Sequence, residues 1–489
     1  MLVVGIDLGT QSCKAYVCDD GLRVRGSGAA PITTVHPRPG EAEQDPRAWE
    51  RALAPAIGSA LAAAGATAHD IAAIAVVGQL DGCVAVDDTG APLHPALIWQ
   101  DRRAVAEAAR VDARELFAIT GQVADAAHLA PKAVWLRARV PAVQRFHQPV
   151  SYLVERLTGV AVMDPALAST TMLAALATGM WSPRLLAAFA IDARALPAIR
   201  PATAIAAGLT RAGARLTGLR AGTPVAVGTG DDFATALGAG LAGPGGPVLA
   251  SIGTAEVVAA LAPTAVLDRA TEPMVETHAF PAGAYIVENP GWLAGGAIRW
   301  ATALLRLASD ADLDALAAAA PPGADGVTFL PALGGAMTPV WRPHARGTLH
   351  GLAASHGPPH VARAVLEGLA FACRDVVDRL AELGLPTDQV LVTGGGSRSV
   401  TWTQLRADAL GRPHAFTTIA DTSALGAAMI AAVAAGLAPD LAVAARRLAP
   451  PRAVLAPGSP ATCAALADAY GRYQRLSGHL AALAETPWV

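Results

Sequence analysis

Asp7 stands two residues before a Gly9-Thr10 pair in the opening run Leu2-Val-Val-Gly-Ile-Asp-Leu-Gly-Thr-Gln-Ser-Cys-Lys-Ala-Tyr-Val-Cys18. The apolar residues on each side of that pair predict two short buried strands around a tight turn. A hairpin tip of this kind can aim backbone N–H groups and Thr or Ser hydroxyls at a polyphosphate. The carboxylate just before it is placed to hold Mg²⁺ through water, since magnesium keeps several waters and needs few carboxylates. Half a chain length later, Val248-Leu-Ala-Ser-Ile-Gly-Thr-Ala-Glu-Val-Val258 restates the hairpin, with Ser251 where the first copy has Asp7. Charge on one side only suits a site where one half holds the metal. A third segment, Val227-Gly-Thr-Gly-Asp-Asp-Phe233, ends a strand in glycines and then paired aspartates. A carboxylate at a strand end beside a phosphate site is a natural general base for a substrate hydroxyl, and Asp231 takes that role. An Asp-Asp pair alone more often caps a helix; in the company of the other motifs that preference is reversed toward the base. Thr393-Gly-Gly-Gly-Ser397 follows the strand Val390–Val392, and glycine there would let a base or ribose approach the backbone closely. Ordinary turns use the same run.

The elements that must position these residues repeat one pattern: an apolar strand followed by Gly and polar residues. Ile74–Val77 precedes Gly78-Gln79, and Pro224–Val227 precedes Gly228–Asp232. Asp19-Asp20-Gly21 closes a hairpin, and Ala-rich stretches at Arg47–Ala64 and Val361–Leu383 predict helices between the strands. Strands alternating with helices predict an α/β protein. A hairpin repeated at half length predicts two similar domains, each presenting a Gly-Thr turn to a central cleft. We place them at residues 1–240 and 241–489, with the boundary inside Gly238–Pro247. Gly238-Ala-Gly-Leu-Ala-Gly243 formally matches GxGxxG, but it follows a helix-like run and reads better as a hinge. The P-loop, GxxxxGK[ST], is excluded: the only two lysines, Lys14 and Lys132, follow Cys13 and Pro131, and neither precedes Ser or Thr.

The bulk properties describe a soluble globular protein. A chain of 489 residues with 53% hydrophobic and 16% charged residues can bury more than one core. A net charge of −3 gives no footing for nucleic acid or an anionic membrane surface. The most weakly polar run, Ala424 to Pro439, is too short to span a bilayer. Met1 leads directly into a strand with no basic segment, and five scattered cysteines form no CxxC pair, so the expected location is the cytoplasm. His36, His128, His344 and His356 lack metal-ligand spacing and read as surface or hydrogen-bonded core residues.

Taken in order, the segments resemble the FGGY carbohydrate kinases, from about residue 2 to about residue 435. Val4–Thr10 and Ser251–Thr254 resemble the family's two phosphate motifs, and Gly230-Asp-Asp232 its catalytic-base segment. Val76-Val-Gly-Gln-Leu-Asp-Gly82 is similar to the xylulokinase sugar-binding segment, Ile98-Trp-Gln-Asp-Arg-Arg103 to the family's Trp-Gln/Asn-Asp-x-Arg stretch, and Ala130–Leu136 to its Pro-Lys-x-x-Trp signature. Val392–Ser397 and Ser423–Ala428 resemble the adenosine motif and the helix after it. The 329–352 segment, with Trp341-Arg-Pro-His-Ala-Arg-Gly347, resembles the glycerol kinase version. The resemblance implies the two-domain actin/hexokinase/Hsp70-like ATPase fold, with ATP and Mg²⁺ in the cleft. It implies Asp231 as general base and, with Asp7, a partner to the Mg²⁺–phosphate complex. Gly9, Thr10, Gln11, Ser12, Gly253 and Thr254 would face the phosphates; Gly295, Gly394, Gly395, Gly396 and Ser399 the adenine side. Gln79, Leu80, Asp81, Trp99, Asp101 and Asp232 would surround the sugar. Dimers and tetramers are common in the family, so the resemblance implies a homodimer as one assembly.

Three departures bear on the acceptor. Leu80-Asp81-Gly82 replaces the Met-His-Gly of xylulokinases, Asp231-Asp232 their Asp-Asn, and Gly335-Ala-Met-Thr-Pro339 their Gly-Glu-Arg-Thr-Pro. The Arg-Glu pair of glycerol kinases is also absent at Leu80-Asp81. Two extra carboxylates, Asp81 and Asp232, would repel a sugar acid, so a neutral ketose or polyol is expected, with D-xylulose first and a tetritol, ribulose or glycerol-like acceptor as alternatives. A non-catalytic nucleotide- or sugar-binding regulator and an Hsp70-like motor are the competing classes. Neither needs both a base and the Trp99–Arg103 and Pro131–Trp135 segments.

Overall fold

The computed structural model describes residues 1–485. Leu2–Leu8 (β1) is buried on both faces, as a central strand must be. Period-two alternation sends Val4, Ile6 and Leu8 to one core and Val3, Gly5 and Asp7 to the other face. Ser12–Asp19 (β2) and Val24–Pro31 (β3) continue antiparallel from it, and Ile71–Gly78 (β4) lies parallel on its other side. Ile205–Gly208 (β5), Pro224–Ala226 (β6) and the short Thr229–Gly230 (β7) complete a sheet ordered β5-β6-β4-β1-β2-β3, with β7 also on β4.

The second half builds the same core order again. Its strands are Val248–Ile252 (β8), Ala255–Ala262 (β9), Glu276–Phe280 (β10), Ala284–Leu293 (β11), Val390–Thr393 (β12), His414–Phe416 (β13) and Ala453–Leu455 (β14), ordered β10-β11-β9-β8-β12-β13-β14. In each half an antiparallel triplet adjoins two parallel strands and one antiparallel edge strand. β10 is the addition, at the outer edge of the second sheet.

Helices close the faces. Pro46–Ala64 (α1) starts at the Asp45 cap with Pro46 in its first turn, ends at left-handed Gly65, and packs on β3. Leu129–Arg139 (α2) packs its Leu129, Ala133 and Leu136 into a smaller core of the first half. Asp231–Gly238 (α3) follows β7 at once, so its first two residues are the paired aspartates. Gly295–Leu304 (α4), Pro358–Glu382 (α5) and Val400–Leu410 (α6) pack in the second half. Ser423–Ala434 (α7), from the second half, lies against α3 and the Gly5 face of β1. The fit is backbone to backbone: a Cβ on Gly5 would meet Ala424 O at 2.1 Å, one on Gly238 would meet Thr422 O at 1.9 Å, and one on Gly426 would meet Ala234 O at 2.0 Å. One core thus joins Val3, Ala75 and Val77 of the first sheet to Leu249, Ala259 and Leu391 of the second through α7. No helix among the described residues is long and apolar enough to cross a membrane.

Candidate active site

The parallel strands of each half end near the junction, which is where α/β sheets bind ligands. The β1–β2 turn is closed by Gly9 N donating to Ser12 O at 3.0 Å. Behind it, buried Gln44 donates to Thr10 O at 2.7 Å and accepts from Trp49 Nε1 and Gln79 Nε2 at 2.8 and 2.9 Å. Trp99 Nε1 donates to Thr10 Oγ1 at 3.0 Å, so the tryptophan expected at the sugar also buttresses the Gly9-Thr10 turn. Gln11, Ser12 and Thr10 lie on this partly open turn.

Asp7 is 6% exposed, and its Oδ1 is buried without a partner. Burial first, then the Asp421 carboxylate, pushes its carboxyl up to about 7, against the pull of Lys14. Lys14 is Asp7's cross-strand neighbour and forms an ion pair with Asp421 of the second half. Asp231 and Asp232 open α3, where the helix N-terminus favours negative charge. Burial, Asp232 and Asp7 nonetheless raise the Asp231 carboxyl well above the usual range. Burial and Asp81 bring Asp232 to about 6, with His278 opposing. A bare, buried carboxylate oxygen beside the first tip fits a hydrated cation. Among the described residues no three His, Cys, Asp or Glu side chains form a metal cage, so magnesium here would rest chiefly on phosphate and water.

The second tip carries exposed Gly253 and Thr254. Thr254 O accepts from Ala294 N and Gly296 N, and a Cβ on Gly295 would lie 2.2 Å from Gly253 O. The N-terminus of α4 is therefore docked on this tip, with Arg299 Nη2 donating to Thr254 Oγ1 at 3.2 Å. Helix end and guanidinium together favour an anion. In the glycine run after β12, Gly394 has φ 83° and would press a Cβ on Ile252 O at 2.5 Å; Gly396 would press one on Ile252 Cγ2 at 2.4 Å. A Cβ on Gly395 would meet nothing within 4 Å, so that backbone is the one open to a ligand. Ser399 instead caps α6 through Trp402 N and donates to Asp314.

In the loop after β4, where the sugar contact is expected, Asp81 has φ 62°, a left-handed backbone uncommon outside glycine. Gln148 Oε1 accepts from its N at 3.1 Å, Lys132 Nζ donates to its carbonyl at 3.0 Å, and its carboxylate meets His128 Nδ1 at 3.0 Å. Burial works to raise Asp81, but His128 and Lys132 outweigh it and hold the carboxyl below the usual range. Fully buried Lys132 also donates to Ile98 O and Ala127 O, pinning three loops at one point. Leu80 packs against Gly230, just before Asp231. Asp101 departs from the expected sugar contact. It is fully buried and its oxygens accept from Ala42 N and Arg103, so it anchors the Trp99 loop. Sequence reasoning missed Lys14 as a site cation, Gln44, Arg299, His128 and the second-half trio Glu276, His278 and Glu288. Lys14 and Lys132 carried a signal, being the only lysines in an arginine-rich chain.

Comparison with known proteins gives the same picture over nearly the whole chain. Residues 2–238 match the N-terminal domain of the FGGY family of carbohydrate kinases, and residues 248–435 match its C-terminal domain. The chain is 32% identical to the xylulose kinase of Escherichia coli, covering 89% of this chain and 90% of that protein. It is 34% identical to the glycerol kinase of Bordetella parapertussis, covering 89% of each. The crystal structure of xylulose kinase from Rhodospirillum rubrum superposes with a TM-score of 0.89 at 31% identity, over 99% of this chain and 100% of that one. Its two-domain architecture is the actin/hexokinase-like ATPase fold. With both halves of the fold and both halves of the sequence in agreement, the chain belongs to the FGGY family of carbohydrate kinases, which are ATP-dependent phosphotransferases.

Proposed function

We propose that this kinase transfers the γ-phosphate of ATP to a terminal hydroxyl of a small neutral ketose or polyol, with D-xylulose the first candidate and Asp231 the general base. Residues 1–240 would form the phosphate and acceptor domain and residues 241–489 the adenine-side domain, acting in the cytoplasm. The observation that carries the reading is the carboxylate set of buried Asp7 and half-buried Asp231 and Asp232, lying between a hairpin tip and the Asp81–His128 pair. A raised pKa makes Asp231 a stronger base toward a hydroxyl than an exposed aspartate. Lys14, whose charge reaches both Asp7 and Asp231, would place a cation beside the phosphoryl group in transit. Thr10, Thr254 and Arg299 would hold the phosphates, and Gly395 would let the nucleoside approach. Magnesium, when bound with ATP beside Asp7, would neutralise the phosphate oxygens and draw charge as the bond to the leaving oxygen breaks.

ADP release with Mg·ATP across ketopentoses, ketohexoses, tetritols, glycerol and aldonates tests the reading. A neutral ketose or polyol should turn over well, aldonates poorly, and Asp231→Asn should lower kcat by about 10²–10⁴. Preference for an aldonate would overturn the neutral-acceptor assignment. No turnover on the panel, despite ATP binding, would favour a regulatory nucleotide-binding role.

A further inference from the structure

Glu276 of β10 faces Glu288 of β11 directly across the ladder. Like charges in that position destabilise an antiparallel pair. His278, two residues from Glu276 and so on the same strand face, brings Nε2 within 3.6 Å of Glu276 Oε2 and 3.8 Å of Glu288 Oε1. Each of the three is 4% exposed. Glu276 has a structural partner, since its Oε1 accepts from Val123 N of the first half at 2.6 Å. The other two do not: Glu288 Oε2 and His278 Nδ1 are both buried without a hydrogen-bond partner. A bare buried polar atom costs about 1–3 kcal/mol, so two in one place point to a ligand that answers them.

Their position says which ligand. The His278 ring lies 5.9 Å from that of Phe233, the residue that follows Asp231-Asp232. Asp232 and Asp81 both feel His278, and both add to the upward push on Glu288, after burial. The bare atoms therefore sit beside the acceptor space, on the wall that the second half contributes.

We propose that Glu288 and His278 form a second-half subsite for the hydroxyl end of the acceptor remote from Asp231. This rests on the kinase function proposed above and adds a length and charge rule to it. A hydroxyl matches the two atoms because it donates and accepts at once: it gives its hydrogen to Glu288 Oε2 and takes one from His278 Nδ1. A carboxylate at that end would meet Glu288, Glu276, Asp232 and Asp81 together. An acceptor as short as glycerol would occupy the Asp231 end and leave the subsite unused.

The test compares KM and kcat for glycerol, a tetritol and a ketopentose in the wild type, Glu288→Gln and His278→Asn. In both variants the KM ratio of glycerol to the longest good acceptor should fall by about tenfold, with kcat for that acceptor changing far less. Glu288→Asp should recover part of the ratio. If one variant does not fold, as judged by its thermal melt, the other gives the same ratio. Turnover with an unmoved length ratio overturns this subsite alone; a wild type that phosphorylates none of the three overturns the kinase reading with it.

Discussion

Asp7 keeps a carboxyl group in a place that disfavours its charge, and the sign of the effect can be worked out. Its folded-state value of about 7 lies above the ordinary 3.8, so folding is helped by protonation. That contribution is complete below about pH 4, declines as pH rises, and is gone above 7. Asp7→Asn removes the penalty, so the nucleotide-free variant should be more stable than the wild type at pH 8, by on the order of 1–3 kcal/mol. The gain should shrink steadily as pH falls below 7 and be nearly absent only at pH 4 and below; thermal melts of the two proteins from pH 4 to 8 check it. A gain that is flat with pH would mean that Asp7 does not titrate in this window. The candidate role of Asp7 was legible because a carboxylate before a Gly-Thr turn has few uses. The hydrogen bonds that turn Asp101 away from the acceptor were not, since Ala42, whose N–H its carboxylate accepts, lies 59 residues away and meets it only in the fold.

At the scale of elements, the seam between α3 and α7 governs where the proposed catalytic groups stand. Asp231 opens α3, while Asp421 and Thr422 lead into α7, so a shift of either helix moves both sides of the site. Gly426→Ala would place a methyl 2.0 Å from Ala234 O, backbone that cannot step aside. We expect a loss of about 1–3 kcal/mol, read by denaturant melts, with a fall in kcat larger than any change in KM for ATP. An unchanged melt would show that the seam is looser than the contacts require. The strands around the two Gly-Thr turns, β4, β6, β12, α1 and α5 could be placed from apolar periodicity and Gly punctuation. The seam could not, because a glycine inside an Ala-rich helix looks like a weakness until the neighbour it touches is known. The second-half acceptor wall was hidden for a similar reason: Glu276 and Glu288 are ordinary alternating residues until β10 and β11 pair.

Over the whole molecule, the half-length echo of the Gly-Thr hairpin announced two sheets of like order. It did not announce that they share one core. Because α7 joins the two sheets, and Lys14–Asp421, Val123–Glu276 and Gly121–Thr277 bridge the halves, both should unfold together. Urea transitions followed by tryptophan fluorescence and by far-ultraviolet circular dichroism should coincide; two separated transitions would show that each half stands alone. The shared helix also sets a schedule for making the protein. The Val3–Val77 face of the first sheet is written by residue 77, but the helix that covers it begins at residue 423, 346 residues later. At ribosomal speeds of about 5–20 residues per second, that face waits uncovered for roughly 17–70 seconds. During synthesis the nascent first half is a sticky intermediate, and the cell's chaperones, rather than the finished fold, must keep it from its neighbours.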